Sequence, residues 1–159
     1  MIHILKANRN FCPCPIDDGD ELFPNGIFEF NVTKMLEYIQ NGSSDIALVE
    51  IKVSDFYREF SSINESHLQT VDISRPVVIA EISPGRYNLI DGHHRVEKAQ
   101  FLSRESVSAY KLTVHQHINF LTSRSAYLAY VEYWNDKVRQ LEREMPKKSV
   151  ARPRPKLPS

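Results

Sequence analysis

The run Asp91-Gly92-His93-His94-Arg95 combines residue types that suit the binding of an anion. It follows a short apolar segment and precedes a helical pattern, which places it at a strand-to-helix turn. A helix start carries outward N–H groups and a partial positive charge, and a glycine lets a phosphate approach the backbone. Arg95 can hold phosphate oxygens with two donors, and His93 or His94 can donate more. We predict an anion site at Gly92, His93, His94 and Arg95, with Asp91 as a simple helix cap being the structural alternative.

The elements that position this run are predicted from hydrophobic periodicity and turn residues. Strands are expected near Ile2–Leu5, Ile27–Phe30, Ile46–Val53, Pro76–Ile82, Tyr87–Ile90 and Val107–Thr113. Helices are expected over 31–40, 64–71, 92–102 and about 123–144, with Asn31 and Asn64 as caps and Leu102 among the core residues of the third. The pattern predicts a mixed α/β (α+β) fold, in which helices flank a small mixed sheet.

Composition and charge indicate an ordinary globular chain. It has 159 residues, of which 42% are hydrophobic and 25% charged, and 20 Lys and Arg balance 20 Asp and Glu. The sequence has neither the roughly 18 apolar residues of a membrane span nor the apolar run of a signal peptide. Its two cysteines form no disulfide framework, so we expect a cytoplasmic protein with reduced thiols and no membrane partner.

Charge is distributed unevenly along the chain. Residues 1–60 hold ten acidic and five basic residues, a net charge of −5, whereas residues 146–159 hold five bases, four of the nine prolines and no acid. We expect an N-terminal extension (1–45) packed on a core (46–122), a C-terminal helix (123–145) and a disordered basic tail (146–159). The tail suggests DNA as an alternative partner.

One stretch of the chain follows a known order of elements. Residues 76–113 run as a strand, a Pro84-Gly85 turn, a strand ending in Gly92-His93-His94-Arg95, a helix containing Ala99, and another strand, while 49–56 reads as an opening strand. This order resembles the core of the ParB/sulfiredoxin superfamily, as in ParB-like N-terminal domains. The loop and helix start of that superfamily bind nucleotide phosphates. The resemblance therefore implies the same role for the Gly92 to Arg95 run.

The branches of the superfamily differ in function. Sulfiredoxins carry a catalytic cysteine where this chain has His93, and chromosome-partitioning ParB proteins continue into a helix-turn-helix reader that this chain lacks after Thr113. The Asp-Gly-His-His-Arg string is most similar to ADP-dependent free serine kinases, which phosphorylate the serine hydroxyl. Those kinases place a catalytic glutamate just after the opening strand. In this chain Glu59 falls near that place.

The resemblance implies phosphoryl transfer, which depends mainly on positioning and charge neutralisation. Asp91 is the expected ligand of a Mg²⁺ ion that accompanies ATP or ADP, with CTP as a further candidate nucleotide. Glu59 or Glu50 is the expected base for a small hydroxyl acceptor, although Glu50 is equally well explained as an exposed strand residue. Two other hypotheses stay open: a nucleotide-dependent DNA-associated regulator or ParB-like nuclease, and a non-catalytic interaction protein on the same fold.

Overall fold

A mixed four-stranded sheet lies at the centre of the computed structural model, which describes residues 3–26, 28–42, 45–57 and 65–144. The strands are β1 (Leu22–Asn25), β2 (Phe28–Asn31), β3 (Ala47–Lys52), β4 (Val77–Ser83), β5 (Arg86–Asp91) and β6 (Ser106–Leu112). The helices are α1 (Val32–Gln40), α2 (Val53–Phe56), α3 (Glu65–Thr70), α4 (His93–Phe101), α5 (Val114–His117) and α6 (Arg124–Glu144), with a 3-10 turn at Ile118–Phe120. The predicted mixed α/β class is confirmed.

The strand order in the central sheet is β3-β6-β4-β5. The β3–β6 and β4–β5 pairs are antiparallel, and β4 and β6 are parallel neighbours. Parallel neighbours need a crossover connection, and here the chain makes it through β5 and α4. The start of α4 therefore lies directly after the end of an edge strand. The pair β1–β2 forms a separate two-stranded hairpin.

The sheet separates two apolar clusters, because successive strand residues point to opposite faces. Val77 and Ile79 of β4 pack in one cluster with Val96 of α4, whereas Val78 and Ala80 pack in the other cluster with α6. The helix α6 buries Ala126, Tyr127, Tyr130, Val131, Trp134 and Val138. The predicted C-terminal helix is therefore confirmed, and its aromatic residues Tyr127, Tyr130 and Trp134 belong to the core.

The N-terminal segment is attached to α6 through side chains rather than through a strand ladder. The Leu5 N–H donates to Asn135 Oδ1 at 2.7 Å, and Asn135 Nδ2 donates to the Leu5 carbonyl at 2.9 Å. The ring of Phe11 stacks on Tyr127 at 3.9 Å between centroids. The strand predicted near Ile2–Leu5 is therefore wrong over the described residues 3–5, which are irregular.

The remaining sequence predictions have mixed outcomes. The Asn31 side chain accepts from the Lys34 N–H at 3.0 Å and caps α1, as predicted. The strand β1 was missed, because Pro24 suggests a loop and strand prolines occur only at edges and bulges. Leu102, expected in the core, is 46% exposed because it follows the last turn of α4. Asn64 and the tail 146–159 lie outside the described residues.

Candidate anion-binding site

The turn between β5 and α4 requires a glycine. Gly92 has φ +106° and ψ 25°, a backbone conformation that other residues rarely adopt. A Cβ at this position would lie 2.5 Å from Val77 Cγ1 and 2.8 Å from Val77 Cβ. Gly92 turns the chain while it packs closely against β4. It is the only residue between the end of β5 at Asp91 and the start of α4 at His93.

The nine-residue helix α4 directs its positive end toward a surface cleft. Its first intrahelical bond runs from the Val96 N–H to the Gly92 carbonyl at 3.1 Å. The N–H groups of the residues before Val96, in the first turn of the helix, have no carbonyl partner within the helix and point out of its start. Because Gly92, His93, His94 and Arg95 all line the cleft, the backbone there is arranged as an anion site requires.

Arg95 forms the structural support of this turn. Its Nη2 lies 2.8 Å from Asp91 Oδ2, and its Nη1 donates to the carbonyl of Pro76. The side chains of Arg95 and Asp91 are 14% and 17% exposed, so the pair is well shielded from water. The sequence predicted Arg95 as the direct phosphate ligand. The structure brings it to the site with its charge balanced by Asp91, and Asp91 is a partner of Arg95 rather than a simple cap.

The two histidines have different surroundings. The His93 ring is half-buried and lies nearly parallel to the Phe23 ring, 6.3 Å between centroids and 15° between planes. Burial lowers the pKa of His93 below its usual value, so its imidazole is neutral at pH 7. His94 is 63% exposed, and its Nδ1 lies 3.4 Å from Glu97 Oε2.

The cleft has a volume of ≈ 490 Å³ and extends beyond the predicted residues. Its further lining residues are Glu21, Phe23, Thr70, Val71, Asp72, Arg75 and Ile90. The sequence did not indicate any of these as site residues, because all except Ile90 of β5 come from the start of β1 or from the end of α3 and the segment after it. Only Arg75, a cation just before the predicted strand from Pro76, carried any signal in the sequence.

Arg75 is the cation best placed to meet a ligand. It is exposed, and within the described ranges its guanidinium makes no hydrogen bond or ion pair. Its neighbour Asp72 accepts hydrogen bonds from the hydroxyl and the N–H of Ser74, and these hold the pKa of Asp72 below its usual value. With the histidines counted as neutral, three carboxylates and two guanidinium groups give the cleft a formal charge of −1. An anion in this cleft would be held by local geometry and not by net charge.

Of the two predicted catalytic glutamates, Glu50 lies away from this cluster. Glu50 lies on β3, at the opposite edge of the sheet from β5, where it accepts from the Ser108 hydroxyl at 2.6 Å. Its neighbours Val49 and Ile51 pack on the α4 side of the sheet, so Glu50 faces the other side. The structure therefore does not place Glu50 at the cleft, and Glu59 lies outside the described residues.

Asp91, the predicted ligand of Mg²⁺, is already paired with a cation. Asp91 Oδ2 is engaged by Arg95, so a cation there would compete with a guanidinium for one carboxylate. Across the described residues, no group of three or more His, Cys, Asp or Glu side chains is arranged to hold a metal ion. A Mg²⁺ ion held by Asp91 together with nucleotide phosphates stays a prediction.

Comparisons of the chain with protein-family models, with curated proteins and with solved structures found no match. The resemblance to the ParB/sulfiredoxin superfamily stays a prediction, carried by the Asp91 to Arg95 run and the order of elements around it. Among the helices of the described ranges, none is both long and apolar enough to cross a bilayer.

Proposed function

We propose that the cleft at the start of α4 binds the phosphate groups of a nucleotide. The observation that supports this most strongly is the Gly92 turn, whose conformation and contact with Val77 set the start of α4 against the cleft. A helix start held in this way offers N–H donors and a positive dipole without further ordering. ATP, ADP and CTP are the candidate nucleotides that the family resemblance implies.

The site contains residues that contact the phosphate and residues that hold the turn in place. The start of α4 and the exposed Arg75 contact the phosphate, while Arg95 and Asp91 hold the turn in place. Support of this kind matters because a binding backbone that is already ordered loses less entropy when the ligand arrives. Arg75 is therefore a cleaner probe of binding than Arg95, whose removal would also release the carbonyl of Pro76.

Phosphate transfer to a small hydroxyl acceptor is a further step in this proposal. It requires a base near the acceptor, and Glu59 is the candidate that the resemblance supplies. The DNA-associated alternative rests on the basic segment 146–159, and the interaction-protein alternative requires no nucleotide at all. Salt-sensitive DNA binding that is lost on removing 146–159 would favour the first of these alternatives.

The test is thermal unfolding of the full chain with ATP, ADP, CTP or GTP, with and without Mg²⁺. A nucleotide at about 100 times its Kd stabilises by roughly 2.7 kcal/mol, which raises Tm by about 5–10 °C in a chain of this size. We expect Arg75→Gln to reduce the shift. The matched control Arg86→Gln changes an exposed arginine that lines a different cleft, and it should keep the shift. A folded wild-type chain that responds to no nucleotide would rule the proposal out.

A further inference from the structure

Phe23 of the N-terminal hairpin and Glu21 just before it line the cleft, although both lie outside the segment that resembles a known family. We propose that Phe23, together with His93, forms the position where the base of the nucleotide stacks. This inference rests on the proposed function, since it assigns the part of the same ligand that the phosphate site leaves unbound. It gives residues 21–23 a role in recognition.

The backbone around Phe23 is held firmly. In the β1–β2 hairpin Phe23 pairs with Phe30. The neighbouring Glu21 donates its N–H to Thr33 Oγ1 at 2.8 Å and accepts from the Val32 N–H at 2.9 Å. These bonds tie the start of β1 to the start of α1. Residues 21 and 23 are two apart in an extended chain, so both side chains point to the cleft side.

The ring pair offers an aromatic surface of suitable chemistry. Every nucleotide base, purine or pyrimidine, has a flat π-face that can stack on an aromatic side chain. The neutral His93 ring lies nearly parallel to Phe23 at 6.3 Å. That separation is too small for a third ring to sit between them, because ordinary contacts need about 3.5 Å on each side. The base therefore stacks on the side of the ring pair that faces the cleft, and not between the two rings.

The positions of the donor groups in the cleft set the direction in which the ligand lies. Glu21 carries an acceptor-only carboxylate beside Phe23, which disfavours a phosphate and suits the donor groups of a nucleoside. Arg75 and the start of α4 favour the phosphate instead. The phosphate therefore binds at Arg75 and α4, and the base binds at Phe23.

The test compares ADP with inorganic pyrophosphate by calorimetry in the full chain. We expect Phe23→Leu to weaken ADP binding about tenfold and to leave pyrophosphate binding unchanged, because only ADP carries a base. Phe23→Tyr keeps the ring and should keep the affinity for ADP. The matched control Phe101→Leu changes an exposed aromatic residue at the far end of α4 and should alter neither.

The outcomes separate this inference from the proposed function. If wild-type protein binds neither ADP nor pyrophosphate, the proposed function fails. If pyrophosphate binds and ADP binds no more tightly, or if Phe23→Leu weakens both equally, the base position is overturned while the phosphate site stands. A measurement on the wild-type chain avoids any folding defect of a variant: stacking should move the adenine proton resonances of bound ADP upfield, and unmoved resonances would contradict it.

Discussion

Replacing Gly92 by alanine is expected to destabilise the protein far more than the same change at Gly85. Both glycines have a positive φ, +106° and +73°, so alanine is strained at either position. The space around them differs. A Cβ at Gly85 would have no heavy atom within 4 Å, whereas one at Gly92 would lie 2.5 Å and 2.8 Å from side-chain atoms of Val77. The pair of variants isolates the effect of the contact.

The magnitude follows from these two contributions. A left-handed conformation costs an alanine about 1–2 kcal/mol, which is the whole expected loss at Gly85. Val77 is fully buried on β4, and its Cα would also lie 3.2 Å from the new Cβ, so the neighbour cannot simply rotate away. Forcing a methyl group into such a contact costs roughly a further 1–3 kcal/mol. We expect Gly92→Ala to lose about 2–5 kcal/mol in total.

Urea unfolding followed by circular dichroism measures both variants. Val77→Ala would remove the atom closest to the new methyl group, so the double variant Gly92→Ala/Val77→Ala should be more stable than the sum of the two single losses predicts. Equal free energies of unfolding for Gly92→Ala and Gly85→Ala, within about 0.5 kcal/mol, would show that the contact with Val77 has no effect on stability.

Three further predictions concern the remainder of the fold. Burial lowers the pKa of His117 from 6.5 to about 4, so its protonation in the unfolded chain should remove about 2 kcal/mol of stability between pH 7 and pH 5. Urea midpoints at both pH values should show a smaller pH dependence in His117→Gln, and an equal dependence would refute this. Asn135→Ala should lose about 1–3 kcal/mol, because it leaves both backbone groups of Leu5 without their partner. The neighbouring control Asp136→Ala, in an exposed ion pair, should change stability by less than about 1 kcal/mol, and an equal loss in both would argue against the role of Asn135. Asn31→Ala should lower the free energy of unfolding by about 1–2 kcal/mol through loss of the α1 cap, and an unchanged urea midpoint would contradict it.

Features that depend on near neighbours in the chain were predictable. A run of β-branched residues indicates β4, the turn that follows it indicates β5, and alternation indicates β6. The three-to-four-residue spacing of apolar residues indicates α6. Asn31 was recognised as a cap and Gly92 as the residue before a helix because both signals lie within a few positions. The proline in β1 gave the opposite signal, since an edge strand tolerates a residue that usually marks a loop.

Features that depend on distant segments were not predictable. Phe23 and His93 are 70 positions apart, and no pattern in either segment indicates that they meet. The carbonyl of Pro76 accepts a hydrogen bond from Arg95 Nη1, a donor that we had expected to contact a ligand. The face of the sheet to which the Glu50 side chain points depends on which strand residues pack under α4. The sequence of one strand alone does not contain that information.

The most direct test of the phosphate site is a titration of isotope-labelled protein with pyrophosphate and ADP, followed by backbone amide resonances. We expect the largest shifts on the amides of Gly92, His93, His94 and Arg95, at the start of α4. Amides of the distant β4–β5 turn at Gly85 should not move. Shifts centred elsewhere, or no shifts with either ligand, would contradict the claim that this helix start binds phosphate.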